Sequence, residues 1–133
     1  KVLDKEFTLS CVSMGNPHAI TVVENVQEFE VEKYGELLEV SSVFPNKTNV
    51  EFIEIVDKNH IKMRVWERGA GETLACGTGA CAAAIAAVLT GHCHFNEDIT
   101  VKVRGGDLIV KYTGTTVYLT GATSLIYEGS VEI

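Results

Sequence analysis

The stretch Thr78-Gly79-Ala80-Cys81-Ala82-Ala83-Ala84-Ile85-Ala86-Ala87-Val88-Leu89 decides the fold of this chain. From Gly79 to Leu89 it is apolar on all sides, and a helix of that kind must be enclosed on every side. Its alanines allow a neighbouring sheet to come close. Gly91, just past the last apolar residue, is a typical helix stop. We therefore expect a helix over Thr78 to Leu89 with strands wrapped around it.

Strand patterns lie on both sides of this helix. Phe7, Leu9 and Cys11 alternate with polar residues from Glu6 to Ser13, which predicts a half-buried strand with the Cys11 thiol in the core. The other predicted strands are Ala19 to Val23, Val50 to Val56, Ile61 to Trp66, Ile99 to Val103, Leu108 to Tyr112, Val117 to Thr120 and Leu125 to Ile133. Near-helical apolar spacing predicts one more helix, from Val31 to Glu39. No repeat or linker divides the chain, so we predict one α+β domain over residues 1–133, a strand-rich sheet or barrel around the apolar helix.

The charge balance argues against nucleic acid as a partner. The chain has 133 residues, 11 basic and 18 acidic, for a net charge of −7. Binding to a phosphate backbone depends on clustered Lys and Arg, which this composition lacks. The acidic residues are scattered among apolar positions, which is typical of a solvated helix face.

The sequence also shows no pattern typical of a membrane span or a secretory signal. The longest apolar run, Ala80 to Leu89, is half of the ~20 residues that a membrane span needs. The first residues, Lys1 to Glu6, have neither the apolar core nor the cleavage site of a secretory signal. Four cysteines without such a signal favour free thiols in a reducing compartment. We therefore expect a cytoplasmic protein with no membrane partner.

A glycine-rich segment runs from the end of a predicted strand into the apolar helix. It reads Glu67-Arg68-Gly69-Ala70-Gly71-Glu72-Thr73-Leu74-Ala75-Cys76-Gly77-Thr78-Gly79-Ala80. A helix N-terminus offers unpaired N–H groups and a partial positive charge, so it can hold an anion such as a carboxylate. The same field favours the thiolate of a cysteine placed just before the first turn, which is the position of Cys76. The segment therefore predicts a reactive thiol beside an anion site.

Three other chemistries compete for these residues. A P-loop is disfavoured because its Lys-Ser or Lys-Thr end is missing and Gly-x-Gly-x-x-Gly does not fit. A Cys-His nucleophile for acyl transfer stays open, since the histidine could be distant in sequence. A zinc site at His92-Cys93-His94 with Cys81 has ligand types without the paired spacing that zinc sites use. We expect no metal.

The glycine-rich segment and Met14-Gly15-Asn16-Pro17-His18 resemble two signatures of the diaminopimelate epimerase family. Its members are pyridoxal-independent enzymes that interconvert LL- and meso-diaminopimelate, for lysine and cell-wall precursor synthesis. The resemblance extends over essentially all 133 residues and corresponds to the family's C-terminal half. The family's other half carries a second Cys-Gly-x-Gly signature, and this chain holds only one. The resemblance therefore implies the C-terminal lobe of a two-lobed enzyme, whose N-terminal lobe is an expected partner.

The resemblance also implies a mechanism without a cofactor. One thiolate and one thiol on opposite faces of an α-carbon exchange its proton, so Cys76 serves one face and a cysteine of the other lobe serves the second. The implied catalytic residues are Cys76, His18 and Glu67. The implied substrate-binding residues are Asn16, Asn49, Glu67, Arg68, Gly77 and Thr78. The substrate is the small molecule diaminopimelate, the isolated half is expected to be inactive, and a homodimer is an expected assembly.

Other interpretations stay open from the sequence. A proline or hydroxyproline racemase-like enzyme shares the Cys-Gly-Thr-Gly helix start. Other amino-acid racemases of this fold also stay open. A non-catalytic ligand-binding module is the alternative for the isolated chain. Among single residues, His18 and Asn16 could serve only as turn residues, while Cys81 and Trp66 fit packing positions. The remaining histidines, His60, His92 and His94, fit solvated loops.

We expect Cys76 to be the cysteine that is alkylated fastest at neutral pH. The reason is its place at a helix start, where the field of the helix favours the thiolate. Iodoacetamide labelling followed by peptide mass spectrometry measures the order of modification. Modification that appears first at Cys93 contradicts this assignment.

Overall fold

The computed structural model describes residues 10–13, 17–39, 49–67, 71–73, 77–103, 106–120 and 125–130. The helices are α1 (Val31–Glu39) and α2 (Gly77–Leu89). The strands are β1 (Ser10–Ser13), β2 (Pro17–Val22), β3 (Asn49–Asp57), β4 (His60–Glu67), β5 (Gly71–Thr73), β6 (Ile99–Val103), β7 (Gly106–Tyr112), β8 (Thr116–Thr120) and β9 (Leu125–Ser130). Within these residues both predicted helices and the predicted strands are present, with ends that differ by one or two residues. Positions 6–9 and 131–133 of two predicted strands lie outside the described residues.

All described strands belong to one mixed sheet. The order is β1-β2-β3-β4-β6-β7-β8-β9, and β5 pairs with β4 outside this path. β2 and β3 are parallel, as are β4 and β6, and the other neighbours are antiparallel. Parallel neighbours need crossover connections. The first crossover contains α1, and the second contains β5 and α2.

α2 is buried against the sheet. Its residues from Gly79 to Val88 are all buried. It contacts β1, β2, β3 and β4 as well as β6, β7 and β8. Strands spread across a whole sheet can contact one helix only if the sheet curls around that helix, so this mixed sheet is curled.

The C-terminal end of α2 is closed by Gly91. This residue has a φ of 86°, in the left-handed region that glycine adopts without strain. The backbone N–H groups of His92 and Cys93 donate to the carbonyl of Ala87, which satisfies a carbonyl at the helix end. Among the described residues, no helix is both long and apolar enough to cross a membrane.

The outer face of β3 is covered by a second apolar cluster. Its buried members are Val26, Val31, Tyr34, Val50 and Phe52. Trp66 of β4 and Phe29 pack against this cluster, so Trp66 has the packing role that its strand position predicts. The Arg64 guanidinium ties the connection before α1 to β4 by donating to three backbone carbonyls. β3 is therefore buried on both faces, by α2 on one and α1 on the other.

The structure corrects one prediction about a cysteine. Cys11 is exposed, whereas Val12 is buried, so the inward face of β1 holds Val12. β1 lies at the edge of the sheet, and α1 contacts β3, β4 and β5 but not β1, so nothing among the described residues covers the outward side of Cys11. Cys81 is buried as predicted, and the side chains of His60, His92 and His94 are exposed as predicted.

One short strand was missed. The glycine-rich segment after β4 was predicted as a loop, but Gly71–Thr73 turns back along β4, pairing Glu67 with Gly71. Gly71 has a φ of 85°, a conformation that favours glycine at the start of this return. Three residues are too short for a period-2 pattern to be recognised in sequence.

Gly35→Ala is expected to destabilise the fold. A Cβ at this position would lie 2.7 Å from Cβ and Cγ of Trp66, atoms too near the backbone to rotate away. Overpacking costs about 1–3 kcal/mol and outweighs the gain of about 1 kcal/mol in helix propensity. Urea unfolding measures the change, with exposed Glu32→Ala on α1 as the control. A free energy of unfolding equal to that of the unsubstituted chain contradicts this packing.

Candidate functional site

The candidate site lies where two parallel strands begin and the next strand ends. His18 is the second residue of β2, and Asn49 is the first residue of β3. The register pairs these two residues directly. On the other side of β3, Val50 pairs with Trp66, so Glu67 follows at the end of β4 beside the beginning of β3. Residues from three separate parts of the sequence thus meet at one end of the sheet.

These polar residues share the inner face of the sheet. Side chains alternate between the two faces of a strand, and directly paired residues share a face. His18 therefore shares a face with Ile20, and Glu67 shares one with Met63; both apolar residues pack in the core around α2. The outer cluster takes the alternate positions, such as Val50 and Phe52. The polar group is thus an extension of the α2 core.

A cavity marks the end of α2 that is remote from its first turn. The cavity has a volume of about 800 Å³ and is lined by Ala86 near the C-terminal end of α2 and by Thr90 just after it, together with Val22 and Ile53. These two strand residues lie away from the beginnings of β2 and β3. The cavity is therefore separate from the strand ends that carry His18 and Asn49. The cavity itself is lined by none of the predicted site residues.

The position of Gly77 requires a small residue. A Cβ there would lie 3.1 Å from Cδ2 of Leu119 on β8, a tight contact that obliges the leucine to shift. Both Gly77 and Thr78 are partly exposed, in contrast to the buried turns that follow. The first turn of α2 is therefore packed on one side and accessible on the other, as an anion site at a helix N-terminus requires.

A buried hydrogen bond joins His18 to Glu51. Nδ1 of His18 lies 2.8 Å from Oε2 of Glu51, and both side chains are fully buried. The other carboxyl oxygen, Oε1, is buried and has no hydrogen-bond partner in the described part of the chain. Buried carboxyl groups are costly unless paired, so this arrangement is held in place by the surrounding fold.

Electrostatics at Glu51 favour its protonated form. Burial is the main cause that raises the pKa of Glu51 above its usual value, and the negative charge of Glu67 adds to the rise. The hydrogen bond and the charge of His18 act in the opposite direction. Glu67 therefore acts on the His18–Glu51 pair from the neighbouring strand, and the three groups form one electrostatic unit.

The structure brings some predicted site residues together and leaves others undescribed. His18, Asn49 and Glu67 lie at adjoining strand ends, and Gly77 and Thr78 form the first turn of α2. Asn16, Arg68 and Cys76 lie outside the described residues. His18 is a buried strand residue, so the interpretation of it as a turn residue alone is wrong.

The His92-Cys93-His94 segment lies away from this group. Burial raises the pKa of the Cys93 thiol, while the neighbouring histidines are exposed to solvent. Within the described residues, no group of His, Cys, Asp and Glu side chains is arranged to hold a metal ion. The thiol of Cys93 is therefore a poor nucleophile, because reactivity depends on the thiolate.

Glu51 is the site residue that the sequence analysis missed. Val50 to Val56 was identified as an apolar strand, and period-2 alternation places Glu51 on the same face as Ile53 and Ile55. Both isoleucines pack in or against the α2 core. A glutamate on the inward face of a strand is rare unless it has a partner, which was the available signal.

Comparison with known proteins agrees with the motifs. The model of the family described as diaminopimelate epimerase matches residues 10–126. The diaminopimelate epimerase of Methanococcus maripaludis strain S2 is 53% identical over 141 residues, covering 99% of this chain and 50% of that protein. The chain belongs to the diaminopimelate epimerase family. The Acetivibrio thermocellus diaminopimelate epimerase is 51% identical over 131 residues, covering 97% of this chain and 46% of that protein.

The chain spans about half the length of these curated relatives. Solved structures of other proteins are similar to this chain in fold alone. A putative phenazine biosynthesis PhzC/PhzF protein from Clostridium difficile strain 630 superimposes with a TM-score of 0.62 at 18% identity, covering 85% of this chain and 42% of that one. A PhzF-family protein from Bacillus anthracis gives a TM-score of 0.57 at 20% identity. The diaminopimelate epimerase family thus shares its curled mixed sheet with these proteins.

The raised pKa of Glu51 makes stability fall as pH rises. In the folded state the raised pKa lets Glu51 keep its proton at a pH where the unfolded chain has already released it. The folded state then binds more protons than the unfolded state, so the free energy of unfolding decreases from that pH through the folded pKa. The loss is about 1.4 kcal/mol for each unit of pKa rise.

Glu51→Gln removes this part of the pH dependence. Urea unfolding across a pH series measures the difference between the variant and the unsubstituted chain. Glu54→Gln makes the same charge change on the same strand, where the carboxylate accepts from the backbone N–H of Val26, and serves as the control. Parallel curves for Glu51→Gln and the unsubstituted chain contradict the protonated state of Glu51.

Proposed function

We propose that this chain is the C-terminal, substrate-binding and catalytic lobe of an enzyme that epimerises LL-diaminopimelate to meso-diaminopimelate. The observation that carries the proposal is the meeting of His18, Asn49 and Glu67 at one end of the sheet. Each is a residue that the family resemblance assigns to the reacting amino acid, and they come from three different strands. Family membership, together with the half-length coverage, supports a two-lobed enzyme.

The chemistry is inversion of an α-carbon without a cofactor. A weakly acidic C–H proton leaves from one face and another proton arrives on the opposite face, with carbanion character between. Cys76 serves one face, and the cysteine of the N-terminal lobe serves the other. One is a thiolate and the other a thiol, and the roles exchange with the direction of reaction. Lysine and cell-wall precursor synthesis are the processes served.

The α-carboxylate of the substrate binds at the first turn of α2. Backbone N–H groups of Gly77 and Thr78 donate to it, and the helix dipole stabilises its charge, which also favours carbanion character at the adjacent carbon. The absence of a side chain at Gly77 leaves room for Leu119 beside this turn. An anion is thus held without a basic side chain beside the thiol.

The other predicted residues act around this centre. His18 and Glu67 flank the thiols, where an imidazolium favours the thiolate and a carboxylate opposes it. Asn16, Asn49 and Arg68 hold the amino and carboxylate groups, chiefly at the distal centre, with Arg68 giving a charge-assisted grip. We further propose that the curled sheet closes around α2 as a central helix, and that the whole enzyme is cytoplasmic.

Deuterium incorporation from D₂O tests this function. NMR of LL-diaminopimelate incubated with the native-length polypeptide that contains this chain is expected to show meso product carrying deuterium at the inverted α-carbon. With two acid/base groups, the first product is deuterated while the remaining LL substrate still carries its proton. The 133-residue chain alone is expected to give no exchange, because one face lacks its acid/base group.

Cysteine variants assign the reaction to the site. Cys76→Ala is expected to reduce exchange by at least about 100-fold, the loss of one positioned acid/base group. Cys11→Ala removes an exposed thiol from the sheet edge and is expected to leave exchange unchanged. A folded native-length protein that shows no exchange removes diaminopimelate as substrate. That result favours another amino acid or a binding role.

A further inference from the structure

Glu51 is a buried carboxyl group that the proposed reaction does not yet use. It lies on β3, two residues after Asn49, with its side chain fully buried. Its nearest described polar partner is His18 on β2, at 2.8 Å from Oε2 to Nδ1. Burial of a titratable pair at the edge of a site is expensive, and the core around it is otherwise apolar. A function in the reaction is a physical reason to keep such a pair.

The hydrogen bond determines where the histidine can gain or lose a proton. One proton lies between Nδ1 and Oε2, whichever atom carries it. A second proton on the pair can lie on Oε1 of Glu51 or on Nε2, the other ring nitrogen. Oε1 is buried and has no hydrogen-bond partner among the described residues to which it could donate, so Nε2 is the favoured place. Any further partner of the imidazole, such as a thiol or the substrate, meets Nε2.

Burial determines whether the His18–Glu51 pair favours one proton or two. With two protons the pair has no net charge, and with one proton it has a net charge of −1. A net charge is costly in an environment without solvent. Among the described residues, the charged groups that act on Glu51 are His18 of β2 and Glu67 of β4, and the negative charge of Glu67 adds to the cost of the anionic pair.

We propose that Glu51 is a positioning residue for His18, which fixes the imidazole with Nδ1 toward β3 and keeps a proton on Nε2 at the reacting centre. This rests on the proposed function, in which His18 serves that centre. The proton on Nε2 makes His18 a hydrogen-bond donor that stabilises a neighbouring thiolate. Glu51 acts through His18, which is its hydrogen-bond partner among the described residues.

Glu51→Gln in the native-length polypeptide separates this role from simple packing. Glutamine has nearly the same shape and can still bond to Nδ1, but the pair then has a charge of +1 when Nε2 is protonated. The protonated form becomes the costly one, so the alkaline limb of the kcat profile moves to lower pH by about one to three pH units. kcat is expected to fall about 10- to 100-fold, the loss that follows removal of a carboxylate that orients a metal-bound histidine. KM is expected to change little.

Two further variants complete the kinetic comparison. Glu51→Asp keeps the charge and is expected to restore the alkaline limb, although the shorter side chain lowers kcat. Glu54→Gln removes a charge from the other face of β3 and is expected to leave the profile unchanged. A Glu51→Gln enzyme that loses activity only in proportion to its folded fraction, with an unshifted profile, overturns the proposal.

A readout independent of turnover distinguishes this inference from the proposed function. ¹⁵N NMR of the histidine rings in the folded native-length protein follows protonation of Nε2 against pH, with the His18 signals assigned by their loss in His18→Gln. The Glu51→Gln protein is expected to release this proton at lower pH than the unsubstituted protein, whether or not diaminopimelate is the substrate. Identical titrations overturn the role of Glu51 even if epimerisation is observed. Shifted titrations without epimerisation support the role of Glu51 and reject the substrate.

Discussion

The burial of α2 is the constraint on which the rest of the structure depends. A helix with no polar side cannot rest on a flat sheet, because half of its surface would stay in water. The sheet must therefore curl until strands from β1 to β8 reach the helix. The alanines of α2 permit this close approach, since larger side chains would hold the strands away. The curl, in turn, decides which strand ends come together.

The candidate site is a consequence of the same packing. The end of the α2 core where β2 and β3 begin is filled with polar groups in place of aliphatic ones, so the inner face changes character from Ile53 to Glu51 and then to Asn49. In that position His18, Asn49 and Glu51 are buried and screened from water. An environment of this kind strengthens every charge interaction within it. The interactions that shift the pKa of Glu51 therefore follow from the fold.

A buried His–Glu pair opposes the stability of the fold. An apolar pair of similar volume would pack in the same space without the cost of desolvating a carboxyl group. The fold supplies the compensation elsewhere, through the apolar contacts of α2 on one face of β3 and the α1 cluster on the other. Rigid support from both faces holds the imidazole in one orientation, which a loop residue would not achieve. The candidate site thus lies mainly on strands. Only its residues at the start of α2 come from the connection between β4 and β6.

The sequence by itself determined the strong periodic elements, the helix α2, its Gly91 stop, the hairpin of β3 and β4, and the family to which the motifs belong. These follow from local patterns, because an apolar period or a glycine stop acts within a few residues. The outward position of Cys11, the short strand β5 and the pairing of Glu51 with His18 were decided only by the tertiary structure. Each depends on the strand or helix that lies opposite, and residues 33 positions apart meet only after the sheet has formed. Periodicity states which residues share a face, but only packing decides whether that face meets solvent, an aliphatic core or another charge.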